Sequence, residues 1–193
     1  MNSQRRYQLS YKNHRKPLPI HYSPFTIMNY FELYQLPLSL QPDPAKVKAK
    51  FYELSRLYHP DFHGQGTEEE QAEALEKASQ VNMAWKVFQN PDETLKYVLQ
   101  LKGLLEEEEK YQLSPEFLME VMDLNEQALD VSEQADIDRL TQTIHQFQQE
   151  IYEPVAKIVA DYQEGVTTKE ELLQVKEYYF RKKYLDRVLA GLK

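Results

Sequence analysis

His59, Asp61 and His63 stand at alternate positions of the segment His59-Pro60-Asp61-Phe62-His63-Gly64. On a β-strand alternate side chains share a face, and two imidazoles with a carboxylate are plausible ligands for zinc or iron. Pro60 and Gly64 make this segment a turn instead, and His14, His21 and His145 stand isolated from it. A metal-dependent hydrolase is therefore the weakest of the functions weighed, and no metal, cofactor or catalytic residue is expected. The chain contains no Cys. That excludes disulfides, thiolate metal sites, Cys-ligated iron–sulfur clusters and Cys nucleophiles. In itself, His59-Pro60-Asp61 can be no more than a proline turn with an Asx-type acceptor, so its neighbourhood decides what it means.

The elements that must hold this turn read as helices. Asn29-Tyr-Phe-Glu-Leu-Tyr is a short helix with an Asn cap, ended by Pro37. Asp43-Pro44 is a cap followed by proline at the first helical position. From there Val47, Phe51, Leu54 and Tyr58 fall at i, i+4, i+7 and i+11, one apolar stripe, with Lys46, Lys48, Lys50 and Arg56 mostly off it. Pro60 ends this helix before the turn, because proline disfavours helical geometry in the preceding residue. Gly64 and Gly66 make the connection mobile, and Thr67-Glu-Glu-Glu70 is a capping box opening a third helix. Its apolar positions are Ala74, Leu75, Ala78, Val81, Met83, Ala84, Trp85 and Phe88. Asn90-Pro91 ends it, and a fourth helix runs from Asp92 to Leu101, stopped by Gly103.

Beyond a run of four acids, Glu106 to Glu109, three longer amphipathic patterns follow. The first opens at Ser114-Pro115-Glu116 and carries Phe117, Leu118, Val121, Met122, Leu124 and Leu129. The second runs from about Asp136 to Tyr162 through Ile137, Leu140, Ile144, Phe147, Ile151, Val155 and Ile158, with a kink expected at Pro154. The third is capped by Thr167 or Thr168 and runs through Leu172, Val175, Tyr179, Leu185, Val188 and Leu189. Three such helices on short loops predict an antiparallel bundle. The expected fold is all-α, and the chain divides into a tail at 1–27, a first helical domain at 28–103, an acidic linker at 104–113 and the bundle at 114–193.

Composition agrees with a folded protein: 193 residues, 41% hydrophobic and 28% charged, with five Gly. The net charge of −8 disfavours binding nucleic acid with the whole surface. It averages three unlike segments. Residues 1–27 carry Arg5, Arg6, Lys12, Arg15 and Lys16 and no acid; residues 28–102 hold 8 basic and 11 acidic side chains; residues 103–193 hold 10 and 20. The basic tail contains Pro17, Pro19 and Pro24 and lacks the continuous apolar run of a secretory signal. It is expected to be disordered; a mitochondrial presequence and an RNA- or lipid-touching arm are the other readings. No apolar stretch approaches the roughly 20 residues that span a bilayer, so no membrane partner is expected.

A basic helix ending Leu57-Tyr58-His59-Pro60-Asp61, a capped third helix, and Val81-Asn82-Met83-Ala84-Trp85-Lys86-Val87-Phe88-Gln89-Asn90-Pro91 together resemble the J-domain. Three further blocks narrow the resemblance: Met28-Asn-Tyr-Phe-Glu-Leu-Tyr-Gln-Leu-Pro37, Phe117-Leu-Met-Glu-Val-Met-Asp-Leu-Asn-Glu126 and Lys183-Tyr-Leu-Asp-Arg-Val188. They resemble, in order across residues 28–193, the HscB family of co-chaperones of iron–sulfur cluster assembly. The resemblance implies a J-domain followed by a three-helix bundle. It also implies stimulation of ATP hydrolysis by a DnaK/HscA-type chaperone through His59, Pro60 and Asp61. The bundle would bind an IscU-type scaffold, so the protein is an adaptor and not itself an enzyme.

Physical chemistry accords with those roles. Pro60 stiffens the turn and reduces the entropy lost on docking. Asp61 can accept charge-assisted bonds from a partner arginine. Lys46, Lys48, Lys50 and Arg56 would steer an acidic chaperone surface. The family's scaffold contacts carry over to Leu118, Met122, Asp123 and Glu126 in the first bundle helix and to Tyr184 in the last. Periodicity by itself favours Leu118 and Met122 as core residues, with Asp123 an ordinary solvated acid. Met122 and Asp123 stand where Leu and Glu are common, Tyr184 where Phe is, and Phe62-His63 replace the usual basic residue after the tripeptide. With no Cys-rich module at 1–27, the resemblance favours a bacterial cytoplasmic protein over one of the mitochondrial matrix. The competing functions are a J-protein for a different client and a nucleic-acid-associated protein acting through its basic tail.

Overall fold

The computed structural model describes residues 28–63 and 66–192; the tail at 1–27 and Gly64 of the expected mobile loop lie outside them. Among the described residues the chain is all-helical: α1 (Tyr30–Leu33), α2 (Pro44–Leu57), α3 (Pro60–His63), α4 (Glu68–Gln89), α5 (Pro91–Leu101), α6 (Pro115–Asp130), α7 (Gln134–Ala160) and α8 (Lys169–Gly191). The starts follow the local chemistry. Asn29, Thr67 and Thr168 each close a capping box, while Asp43, Asn90 and Ser114 cap helices that begin with proline. Gly103, at φ 64°, follows α5, and Gly165, at φ 79°, turns the chain between α7 and α8. Both occupy the left-handed region that costs a side chain energy and glycine little.

Helices α2 and α4 pack as a hairpin, crossed by α1, around Leu33, Tyr34, Val47, Leu54, Val81 and Ala84. Phe51 stacks on Trp85 at 4.4 Å between ring centres. Tyr34 is fully buried, and its hydroxyl donates to the Val81 carbonyl at 2.8 Å, tying α1 to the middle of α4. Burial raises the Tyr34 pKa, so the phenol stays a proton donor. Two residues assigned to the apolar stripe of α4, Leu75 and Met83, are exposed. The buried face of that helix is the narrower set Ala74, Val81 and Ala84; the helices packed on α4 leave Leu75 and Met83 uncovered.

Helices α6, α7 and α8 form the expected bundle, with Leu140, Ile144, Ile151, Val155 and Val159 of α7 facing Leu172, Val175, Tyr179, Leu185 and Val188 of α8. Pro154 lies inside α7 on an exposed position and the helix continues through it.

The two helical units are not joined by a free linker. Helix α5 packs on α8, and a single buried cluster runs from Phe31, Leu95, Val98 and Leu99 to Phe117, Val175 and Leu185. Residues 104–113 are non-helical, yet Leu105 and Leu113 are buried and Tyr111 stacks on Phe180 at 4.6 Å. The acids there are used as well. Lys176, itself buried, reaches the Glu109 carboxylate at 2.5 Å and the Leu104 carbonyl at 2.6 Å. Lys182 bridges Asp92 of α5 at 2.6 Å and Asp186 of its own helix at 2.9 Å. Burial by itself lowers the Lys182 pKa, but the bonds to the two carboxylates outweigh it and leave the pKa raised. An acidic run reads as solvated linker from charge alone; the buried leucines on either side of it, with Lys176, dock it.

Candidate functional site

Two exposed surfaces carry part of the residues singled out from the sequence. The first surrounds His59. The tripeptide is not an open loop: Pro60 opens the one-turn helix α3, which packs on α4. Proline at the first helical position has its φ preset and no N–H to leave unpaired. The His59 Nδ1 accepts the Asp61 backbone N–H at 3.2 Å, acting as the cap of this turn. That bond requires the imidazole proton to sit on Nε2. The same Nδ1 lies 3.6 Å from the Asp61 carboxylate. His63 Nε2 sits 2.9 Å from the Leu57 carbonyl, pinning the far end of the turn back to α2. The alternate-position ligand set is therefore not assembled. The turn is helical, and the ring nitrogens of His59 and His63 in these bonds face backbone atoms.

The four cations ahead of the turn are not one patch. At about 100° per residue, Lys46 and Lys50 lie to one side of the buried Val47–Leu54 stripe, Lys48 to the other and Arg56 directly opposite it. Lys50 is held by Gln35 at 2.9 Å and Glu53 at 3.0 Å. Arg56 lines an open groove with Tyr52, Glu53, Ser55, His59, Asp61 and Phe62. A second groove on the opposite flank of His59 is lined by Pro60, Leu75, Ser79, Asn82, Met83 and Lys86. Lys86 and Met83 were missed as candidates. They are distant from His59 in sequence and come beside it only because α4 runs back along α2. Their signal was present as the i, i+3 pair on the exposed side of α4.

The second surface is the outer face of α6. Phe117, Val121 and Leu124 turn inward and are buried. Leu118 is 36% exposed and Met122 is 61% exposed, so neither is a core residue. Asp123 and Glu126 are exposed beside them, and Met119, not singled out from the sequence, is an exposed neighbour. Helix α6 carries five acids, Glu116, Glu120, Asp123, Glu126 and Asp130, and no base. At about 100° per residue the five acids fall on one side of the Leu118–Met122 row, and the buried face lies on the other, which suits a partner with an apolar contact flanked by cations on one side. Tyr184, on α8, is half-buried, with the Arg187 guanidinium 5.4 Å from its ring centre. Packing of α6 on α8 puts both elements in the same bundle.

Residues 113–193 match the family model described as the HSCB C-terminal oligomerisation domain. Over 110 residues the chain is 34% identical to the co-chaperone protein HscB homolog of Photobacterium profundum and 36% identical to that of Vibrio atlanticus. Each match covers 56% of this chain and 64% of the relative, so the chain spans less than two thirds of the curated relatives it matches. Among solved structures, human co-chaperone protein HscB superposes with a TM-score of 0.74 at 24% identity, covering 88% of this chain and 83% of that one. The chaperone HscB from Vibrio cholerae gives 0.66 at 23% identity, covering 86% and 95%. At those identities the two structures speak for the fold, and they share this all-helical architecture. The match across the bundle and the relatives matched over 110 residues point the same way: this chain is similar to the HscB co-chaperones.

Proposed function

We propose that this protein is a co-chaperone that carries an IscU-type iron–sulfur scaffold on its C-terminal bundle and stimulates ATP hydrolysis by a DnaK/HscA-type chaperone. In this proposal His59, Pro60 and Asp61 act on the chaperone, with Lys46, Lys48, Lys50 and Arg56 contributing attraction at longer range. Leu118, Met122, Asp123, Glu126 and Tyr184 hold the scaffold. The domains are those expected from the sequence, 28–103 for the chaperone and 114–193 for the scaffold, with 104–113 acting as a docked connector. The protein performs no chemistry of its own; it biases a switch in its partner. Its bacterial relatives support a place in the bacterial cytoplasm.

The observation that carries the proposal is the presentation of both surfaces at once. The His59 turn is fixed by bonds within the chain while its outer faces stay open. An apolar stripe on α6 is left exposed on an otherwise packed bundle. Because α5 and α8 share one buried core, the two surfaces are held on one body, which suits delivery of a bound scaffold to a chaperone. The test is the chaperone ATPase rate with and without scaffold, comparing the protein with His59→Gln. Joint stimulation by protein and scaffold, lost in the variant, is expected. Stimulation unchanged in His59→Gln overturns the chaperone role. Stimulation by the protein with no association to scaffold at tens of micromolar removes the scaffold and leaves a J-protein for another client.

A further inference from the structure

Large apolar side chains collect beside His59 where charge would be expected. Phe62, directly after the tripeptide, is 71% exposed, and Tyr52 on α2 is 62% exposed. Both line the same open groove as Arg56, His59 and Asp61. Phe62 is not a loose side chain on a loop. It sits in the one-turn helix α3, anchored at one end by the His59 cap and at the other by the His63–Leu57 contact. Its ring meets the His59 imidazole edge-on at 5.9 Å between centres. An exposed aromatic costs little in a monomer when it stands singly. Two beside one groove form an apolar surface, and the pinned backbone under Phe62 has less freedom to lose on binding.

We propose that this groove is the affinity-determining part of the chaperone contact, with Phe62 inserting into an apolar recess of the DnaK-type partner and Tyr52 closing over the same contact. The inference rests on the chaperone role given above and specifies how that role is performed. The occupant follows from continuity: His59 and Asp61 line the groove themselves, so whatever engages the tripeptide covers Phe62 and Tyr52. The charges at the rim set its polarity. Arg56 faces outward beside Glu53 and Asp61, so the partner segment is apolar at its centre and carries both signs at its edges. Lys46, Lys48 and Lys50 do not line the groove, and Lys50 is already paired, which leaves few cations at the contact itself. Apolar contact then sets the strength and lifetime of the complex, and charge sets the encounter rate.

The experiment titrates the full chain into its cognate DnaK-type chaperone and reads steady-state ATPase, giving a half-maximal concentration and a maximal stimulation. Phe62→Ala is expected to raise the half-maximal concentration about 10- to 100-fold, as loss of a buried phenyl ring requires, with the maximal stimulation retained. Tyr52→Ala is expected to give a smaller shift in the same direction. Phe62→Leu, which keeps an apolar side chain, should recover most of the loss. His59→Gln should instead abolish the maximum. A normal half-maximal concentration for Phe62→Ala, with His59→Gln inactive, overturns this inference and leaves the chaperone role standing. Normal stimulation by both variants overturns the chaperone role with it. Since Phe62 is exposed, unchanged circular dichroism is expected in each variant; a Phe62→Ala protein that melts early overturns the assignment of Phe62 to a docking surface.

Discussion

Replacing Met122 by alanine separates two roles that periodicity alone cannot. In the structure Met122 is 61% exposed on the outer face of α6. Full burial of a methionine side chain contributes about 1.5–3 kcal/mol, and roughly that fraction of it remains to be gained when a partner covers the residue. Truncation to alanine should therefore remove about 1–2 kcal/mol of binding, or roughly a 5- to 30-fold rise in Kd. Folding should hardly change, since exposed substitutions stay within about 0.5 kcal/mol. A core methionine would behave in the opposite way, losing about 2–5 kcal/mol of stability. Isothermal titration with an IscU-type scaffold measures the first quantity, and urea denaturation of the free protein the second. A Kd that does not move, or a stability loss above about 2 kcal/mol, would refute the reasoning. Tyr184→Ala is the companion variant, with the same expected direction but a larger folding cost, because Tyr184 is half-buried.

Tyr34→Phe should destabilise the α2–α4 unit by about 1 kcal/mol through loss of the buried hydroxyl bond to Val81, read from the midpoint of urea unfolding. Lys176→Met should free the 104–113 connector, because the Glu109 carboxylate and the Leu104 carbonyl lose their partner; faster cleavage there in limited proteolysis is the expected result, and unchanged cleavage would mean Leu105 and Leu113 hold it without the lysine. The Glu171 carboxyl titrates below the usual carboxylate range because the Thr168 backbone N–H, then its hydroxyl, bond the ionised form. Its contribution to stability is thus complete above the unfolded carboxylate pKa and is lost as pH falls through the lower folded value; Glu171→Gln should flatten that acid limb of the unfolding curve.

Local order along the chain was legible because it is written in short-range chemistry. Asn29, Asp43, Thr67, Asn90, Ser114 and Thr168 stop the chain from being helical and supply an acceptor, so helix starts can be read within a residue. The three-helix bundle followed from apolar spacing, which any helix must turn toward a partner. Packing against particular neighbours was not legible. Leu75 and Met83 share the apolar character of Val81 and Ala84 but face solvent, because the helices packed on α4 leave that side of it uncovered. Leu118 and Met122 fit a buried stripe as well as an exposed one, and only the positions of α7 and α8 decide it.

From the sequence by itself came the tripeptide, the absence of thiol chemistry, the helix boundaries and the contrast between a basic start and an acidic bundle. These depend on residue type and on neighbours a few positions away. Tertiary structure decided the rest. It turned the His59 loop into a capped helical turn, spread the α2 cations around the exposed half of that helix and brought Met83 and Lys86 to a groove that His59 also lines. It also joined two expected domains through one buried core between α5 and α8. Each of those outcomes depends on contacts between residues far apart in the chain, and side-chain spacing carries no record of which distant surface will cover it.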